Sequence, residues 1–167
     1  MARKAFYSFH YAVDAWRASQ VRNMGVIEGN VPVSDNDWEA VKKGGDKAIE
    51  KWIAEQLSGK SCAVVLVGAQ TSERKWVIHE IQEAWNAKKG VVGVRIHNLK
   101  NHAEAHGTYG ANPFDKLTLS NGTKYLSSVV KLYDPPGWAS TDVYKYIKDN
   151  LAAWVDEAVK IRDEYKG

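Results

Sequence analysis

With one cysteine, Cys62, in its 167 residues, this chain can close no internal disulfide, and its fold has to rest on a packed core. Such cysteine usage fits a reducing compartment. Long apolar runs are also missing: none approaches the ~20 residues that a membrane-spanning helix requires. The N-terminal MARKAFYSF lacks the apolar region of a signal peptide and runs straight into a strand pattern. These absences point to a cytoplasmic protein with no membrane role. No block of like charge occurs either. The 23 basic and 20 acidic residues are interspersed, leaving a formal charge of +3, and nothing in that pattern calls for nucleic acid.

Three phosphate and acyl-transfer signatures are absent. No G-x-G-x-x-G follows the first strand, which excludes an ordinary Rossmann site, and no G-x-x-x-x-G-K-[ST] occurs. No G-x-S-x-G nucleophile elbow is present. A phosphoacceptor receiver would need carboxylates at the ends of the first and third strands, where this chain reads SFHY and LVGA. A flavin-binding flavodoxin is the weaker reading, because no hydroxyl-rich phosphate loop follows the first strand.

What the chain does contain is an alternation of apolar runs with helical periods. Lys4–Tyr11 reads as an aromatic strand, and Asp14 is placed to cap a helix to about Asn23. Val26–Val33 is weakly strand-like, Ser34–Asp37 forms a turn cluster, and Trp38–Lys43 suits a short helical turn. Asp46 caps the next helix, whose stripe of Ile49, Trp52, Ile53 and Leu57 ends at Gly59. Ala63–Val67 is a continuous apolar run of the kind buried on both faces of a sheet. Thr71 or Ser72 caps a helix in which Val77, Ile78, Ile81 and Trp85 share a face. Val91–Ile96 and Val129–Tyr133 read as strands, and a final helix runs from Asp142 to about Asp163. Strands alternating with helices give a five-stranded, mainly parallel sheet with helices on both faces, in the order 2-1-3-4-5. By length it is one domain, residues 1–167. Residues 97–128 form a long insertion before the last strand, and a loop that long is more often functional than accidental.

Ligands of such sheets bind outside the carboxyl ends of the strands where the order reverses, here between the first and third strands. The loops at that crevice are Phe9–Asp14 and Gly68–Lys75. Ser8, Phe9, His10 and Tyr11 offer hydroxyl, imidazole and ring faces suited to a planar heteroaromatic ligand. Packing is the better account of Phe6 and Phe9 from position alone. Trp76 and Glu80, at i and i+4, lie beside each other and off the stripe centred on Ile81. That pair reads either as a solvated glutamate next to a tryptophan covering a loop, the commoner case, or as the carboxylate of an enzyme. His97, His102, His106 and Glu104 occur in the long insertion without a cysteine or an evident scaffold, so they read as surface residues and no metal site is assigned.

Taken together, KAFYSFHYAVDAWRASQVRN (Lys4–Asn23), SDNDWEAVKKGGDKAIEKWI (Ser34–Ile53), CAVVLVGAQTSERKWVIHEI (Cys62–Ile81), GVRIHNLK (Gly93–Lys100) and NPFD (Asn112–Asp115) resemble, in order, the TIR-like domains of the ThsB type from bacterial Thoeris anti-phage defence. The resemblance implies a flavodoxin-like TIR fold. It also implies an enzyme that uses NAD as a substrate, with no resident cofactor, releasing nicotinamide and making a cyclic or modified ADP-ribose. That product would activate a separate ThsA-like effector after a phage-derived trigger, and the enzyme could work as a homo-oligomer. The family's W-x-x-x-E arrangement falls on Trp76 and Glu80, which implies a catalytic Glu80. By the same analogy, Ser8, Phe9, His10, Tyr11, Asp46 and Trp76 would line the substrate site. The competing class is a non-catalytic TIR-like adaptor or receptor that binds a protein partner. An open surface at Glu80, or a salt-bridged Glu80, would favour the adaptor.

Overall fold

A computed structural model describes residues 3–29, 43–101, 103, 105–119 and 122–165. Residues 30–42 lie outside it, and with them the end of the expected second strand, the Ser34–Asp37 turn and most of the Trp38–Lys43 turn. The elements in chain order are β1 (Lys4–Ser8), α1 (Tyr11–Arg22), β2 (Glu28–Gly29), α2 (Asp46–Leu57), β3 (Cys62–Val67), α3 (Lys75–Asn86), β4 (Gly90–Arg95), β5 (Leu132–Tyr133) and α4 (Ser140–Glu164). Single 3-10 turns occur at Thr71–Glu73, Pro113–Lys116 and Leu126–Ser128. The sheet runs β2-β1-β3-β4-β5 with every pairing parallel, which is the flavodoxin-like order expected from the sequence.

All six residues of β3 and all six of β4 are buried. Their period of two sends alternate side chains into two separate cores. On one face Tyr7, Val64, Leu66, Val92 and Val94 pack with Ala18 and Val21 of α1 and Ile147, Leu151 and Val155 of α4. On the other, Phe6, Ala63, Val65, Val67 and Val91 pack with Ile49, Ile53 and Leu57 of α2 and Val77, Ile81 and Ala84 of α3. Cys62 lies within the first core, and burial pushes its thiol up to about 12.

Several boundaries differ from the sequence expectation for local reasons. β1 stops at Ser8 because the His10 carbonyl accepts the N–H groups of Val13 and Asp14, so α1 begins at Tyr11 and not at Asp14. Asp14 is therefore inside the first turn, where it pairs with Arg17. Gly45, at φ +83°, occupies the N-cap of α2, and Asp46 is its first helical residue. Thr71 and Ser72 do not cap α3. They belong to the 3-10 turn, Arg74 takes the cap position, and the Thr71 hydroxyl instead accepts the Gly68 N–H at 2.7 Å. The last strand shortens to Leu132–Tyr133, paired with Gly93 and Val94.

Helix α4 lies directly on the start of β4. A Cβ at Gly90 would stand 2.7 Å from the Val159 nitrogen and 2.8 Å from the Ala158 carbonyl carbon. Backbone cannot rotate aside as a flexible side chain can. Gly90→Ala is therefore expected to lower stability by about 1–3 kcal/mol, read as a lower urea midpoint at unchanged m-value.

Candidate active site

The carboxyl end of β1 meets the second turn of α3. Because Ser8 shares parity with Phe6, its hydroxyl points to the α2/α3 face of the sheet, where it approaches Glu80. Glu80 is only 7% exposed, and its Oε2 has no hydrogen-bond partner. Among the described residues no cation is paired with it. Burial raises its pKa to about 8, and the Ser8 hydroxyl draws it back only in part. The two groups are near enough to interact, yet Ser8 Oγ is itself left without a bond of full geometry. A carboxyl buried without a counter-charge is costly to ionise. This places Glu80 well outside the behaviour of a solvated helix glutamate, although i+4 spacing from Trp76 is kept.

Trp76 is half-buried against the α2/α3 core. Its ring stands edge-on to His79 at 5.5 Å, and Lys75 Nζ lies 4.7 Å from its centre. The same ammonium pairs with exposed Asp46 at 3.0 Å, tying the start of α2 to the start of α3. Asp46 is thus at the rim beside Trp76, engaged by Lys75. His10 is buried at the N-cap of α1 with Nδ1 unpartnered, and burial together with nearby Arg74 lowers its pKa. Tyr11 opens α1, with its backbone alone among the described features.

Phe9 does not join this group. It has the parity of Tyr7, and it packs against the core on the α1/α4 face, the opposite side of the sheet from α3. Of the histidines in the long insertion, His102 lies outside the described residues, as does Glu104. His97 and His106 are not plain surface groups: both have a buried, unpartnered Nδ1. His106 stacks on Trp138 at 4.1 Å, and His97 lies edge-on to Tyr109. Among the described residues no group of three potential ligands could hold a metal ion, and no helix is long and apolar enough to cross a membrane.

Sequence reasoning missed a second buried polar group beside the crevice. Asp14 and Arg17 pair at 3.2 Å with side chains 1% and 4% exposed. Asp14 packs so tightly on Gly68 that a Cβ there would stand 2.1 Å from Oδ2. Arg95, at the exit of β4, donates to the Gly110 carbonyl and lies 4.0 Å from the Tyr109 ring centre. Two signals were available in the sequence: the i, i+3 spacing of Asp14 and Arg17, and a cation closing an otherwise apolar strand.

The family described as "Thoeris protein ThsB, TIR-like domain" matches residues 6–101, which run from within β1 to past β4 and include Trp76 and Glu80. A protein of Bacillus cereus (strain MSX-D12), named "Putative cyclic ADP-D-ribose synthase ThsB1", is 33% identical over 138 residues, spanning 80% of this chain and 70% of its own length.

The electrostatics of Glu80 carry a stability consequence. Its folded pKa, about 8, lies above the ordinary 4.5, so the folded protein holds the proton more tightly than the unfolded chain. Stability is unaffected by Glu80 below about pH 4.5 and falls as pH rises from there to about 8. Glu80→Gln removes the titration. Its melting temperature should match the native protein near pH 5 and exceed it at pH 8.5, where the stability difference is on the order of a few kcal/mol. Equal melting temperatures at both pH values would contradict the buried, unpaired carboxyl.

Proposed function

The chain belongs to the ThsB TIR-like family, and on that premise we propose that it is an anti-phage enzyme that cleaves NAD. It breaks the bond between nicotinamide and ribose and makes a cyclic ADP-ribose signal, which acts on a separate ThsA-like effector. The observation that carries this reading is Glu80: buried, uncompensated and facing Ser8 at the switch point of the sheet. Perturbed carboxyls of this kind cluster where chemistry is done. The name of the Bacillus cereus relative supports the same reaction class.

Glu80 holds the hydroxyls of the nicotinamide-side ribose and, as the glycosidic bond lengthens, faces the positive charge that builds on that sugar. The bonding pair leaves with the nicotinamide nitrogen, so nicotinamide departs neutral. A fixed carboxylate opposite such a charge, in a site closed to water, contributes several kcal/mol to the transition state. Glu80 must be anionic to do so. In the free protein its proton is held to about pH 8; the cationic pyridinium of arriving NAD favours the carboxylate and displaces that proton. Trp76 walls the pocket on the α3 side, Asp46 and Lys75 form its rim, and His10 closes it from the start of α1.

Nucleotide profiling by mass spectrometry, in phage-challenged cells making native protein or Glu80→Gln, tests the proposal. NAD should fall and a new ADP-ribose species should appear with the native protein only. Unchanged nucleotides in infected cells with abundant native protein would sink the enzymatic reading, and so would a Gln variant that still cleaves NAD. With turnover in hand, kcat/KM reports the free enzyme. It should climb roughly tenfold per pH unit up to about 8 and level off above, because only the deprotonated carboxyl is active.

A further inference from the structure

Two side chains of α1 fasten the long insertion: Gln20 donates Nε2 to the Lys100 carbonyl at 2.6 Å, and Arg17 makes the larger clasp. Arg17 donates Nε to the Leu99 carbonyl at 2.7 Å, Nη2 to the Ala105 carbonyl at 3.0 Å and Nη1 to Asp14 Oδ1 at 3.2 Å. The planar guanidinium holds these donors in one fork. Asn101 preshapes the turn it grips, its side-chain oxygen accepting the N–H groups of Ala103 and Ala105. Gly107 lies flat on the guanidinium: a Cβ there would stand 3.3 Å from Arg17 Cζ.

From that clasp the segment runs to the loop after β3. Gly110 rests on the loop after β3, where a Cβ would stand 2.0 Å from the Gly68 carbonyl oxygen. Arg95 donates to the Gly110 carbonyl from below at 3.2 Å. Next, the Pro113–Lys116 turn packs on the Thr71–Glu73 turn that leads into α3, and Phe114 is fully buried in the core that contains Ile81, the neighbour of Glu80. The segment thus starts on α1, reaches the β3–α3 junction and ends with Phe114 in the core that the Glu80 helix also packs on.

We propose that Arg17 is a positioning residue whose clasp keeps this segment seated and closes the Glu80 site to water, so that the ADP-ribosyl group ends in a ring and not in hydrolysis. The inference rests on the NAD-cleaving reading of Glu80. Both outcomes share the first event, departure of nicotinamide with the glycosidic electron pair. In cyclisation an oxygen of a hydroxyl within the same molecule forms the new bond to the ribose carbon and releases its proton. In hydrolysis the oxygen of water forms that bond and releases a proton, giving linear ADP-ribose. Neither needs an oxidant or a further co-reactant, and water access alone selects between them.

Two variants loosen the clasp by different routes. Arg17→Lys keeps a cation for Asp14 but cannot span both carbonyls, whereas Gly110→Ala leaves Arg17 intact and forces the segment off Gly68. Two readouts follow, each absent from a merely structural role. The first is the carbon-13 titration of the Glu80 carboxyl in the purified protein, which needs no turnover. It should move from about 8 toward the ordinary carboxylate range in both variants as water enters. The second is product partition: the ratio of cyclic to linear ADP-ribose should fall about threefold or more, with NAD consumption retained. Folded variants that titrate like the native protein and keep its product ratio overturn the proposal. Lowered turnover at an unchanged ratio does so too, since that marks lost stability alone. A native protein that consumes no NAD overturns the enzymatic reading and the product claim with it, while the titration separately upholds or overturns the seal.

Discussion

Everything chemical in this molecule is constrained by the double cover of β3 and β4. Helices lie on both faces of these strands, every residue of both is buried, and no side chain along their length can reach a ligand. Parallel strands satisfy their own backbone groups and read as continuous apolar runs. Polar groups can therefore collect only where the strands end. Ser8, Gly68 and Arg95 sit at successive exits of β1, β3 and β4, and the register Ser8↔Val65 and Val67↔Arg95 sets their stagger.

At those exits two carboxyls are buried in contrasting ways. Asp14 is locked against Arg17, and the guanidinium counters part of the upward push of burial on its pKa. Glu80 has only the Ser8 hydroxyl for company. Removing one partner of a buried pair is strongly destabilising, which suits Asp14 and Arg17 to fastening. A buried carboxyl without a cation weakens the fold wherever it ionises. One acid is thus compensated and fastens, and the other is left uncompensated.

The sheet order and the identity of each described helix were legible because they follow from short-range periodicity: Val64, Leu66, Ile81 and Leu151 announce their faces without reference to any distant residue. Boundaries were less legible. Whether Asp14 caps a helix or sits in its first turn depends on which carbonyl the chain offers first, and His10 offered it. The position of Glu80 beside Trp76 could be read from a helical repeat, but not its burial, which is decided by the parity of β1 and the approach of Ser8. The same parity sends Phe9 to the other core. Arg17 shows the limit most sharply, because its partners Leu99 and Ala105 lie more than eighty residues along the chain, and no local pattern encodes such a meeting.

The contact between Gly68 and Gly110 has a consequence for how this fold can drift. The Gly68 carbonyl occupies the space that a side chain at Gly110 would need, and Asp14 occupies the space that one at Gly68 would need. A substitution at Gly110 must wait for a shift of the loop after β3, and one at Gly68 for a shift of Asp14. Thr123, Lys124 and Tyr125, at the bridge to Thr118, are exposed. Side chains can vary there while the crossing at Gly110 stays fixed, giving the insertion one anchored half and one half open to innovation.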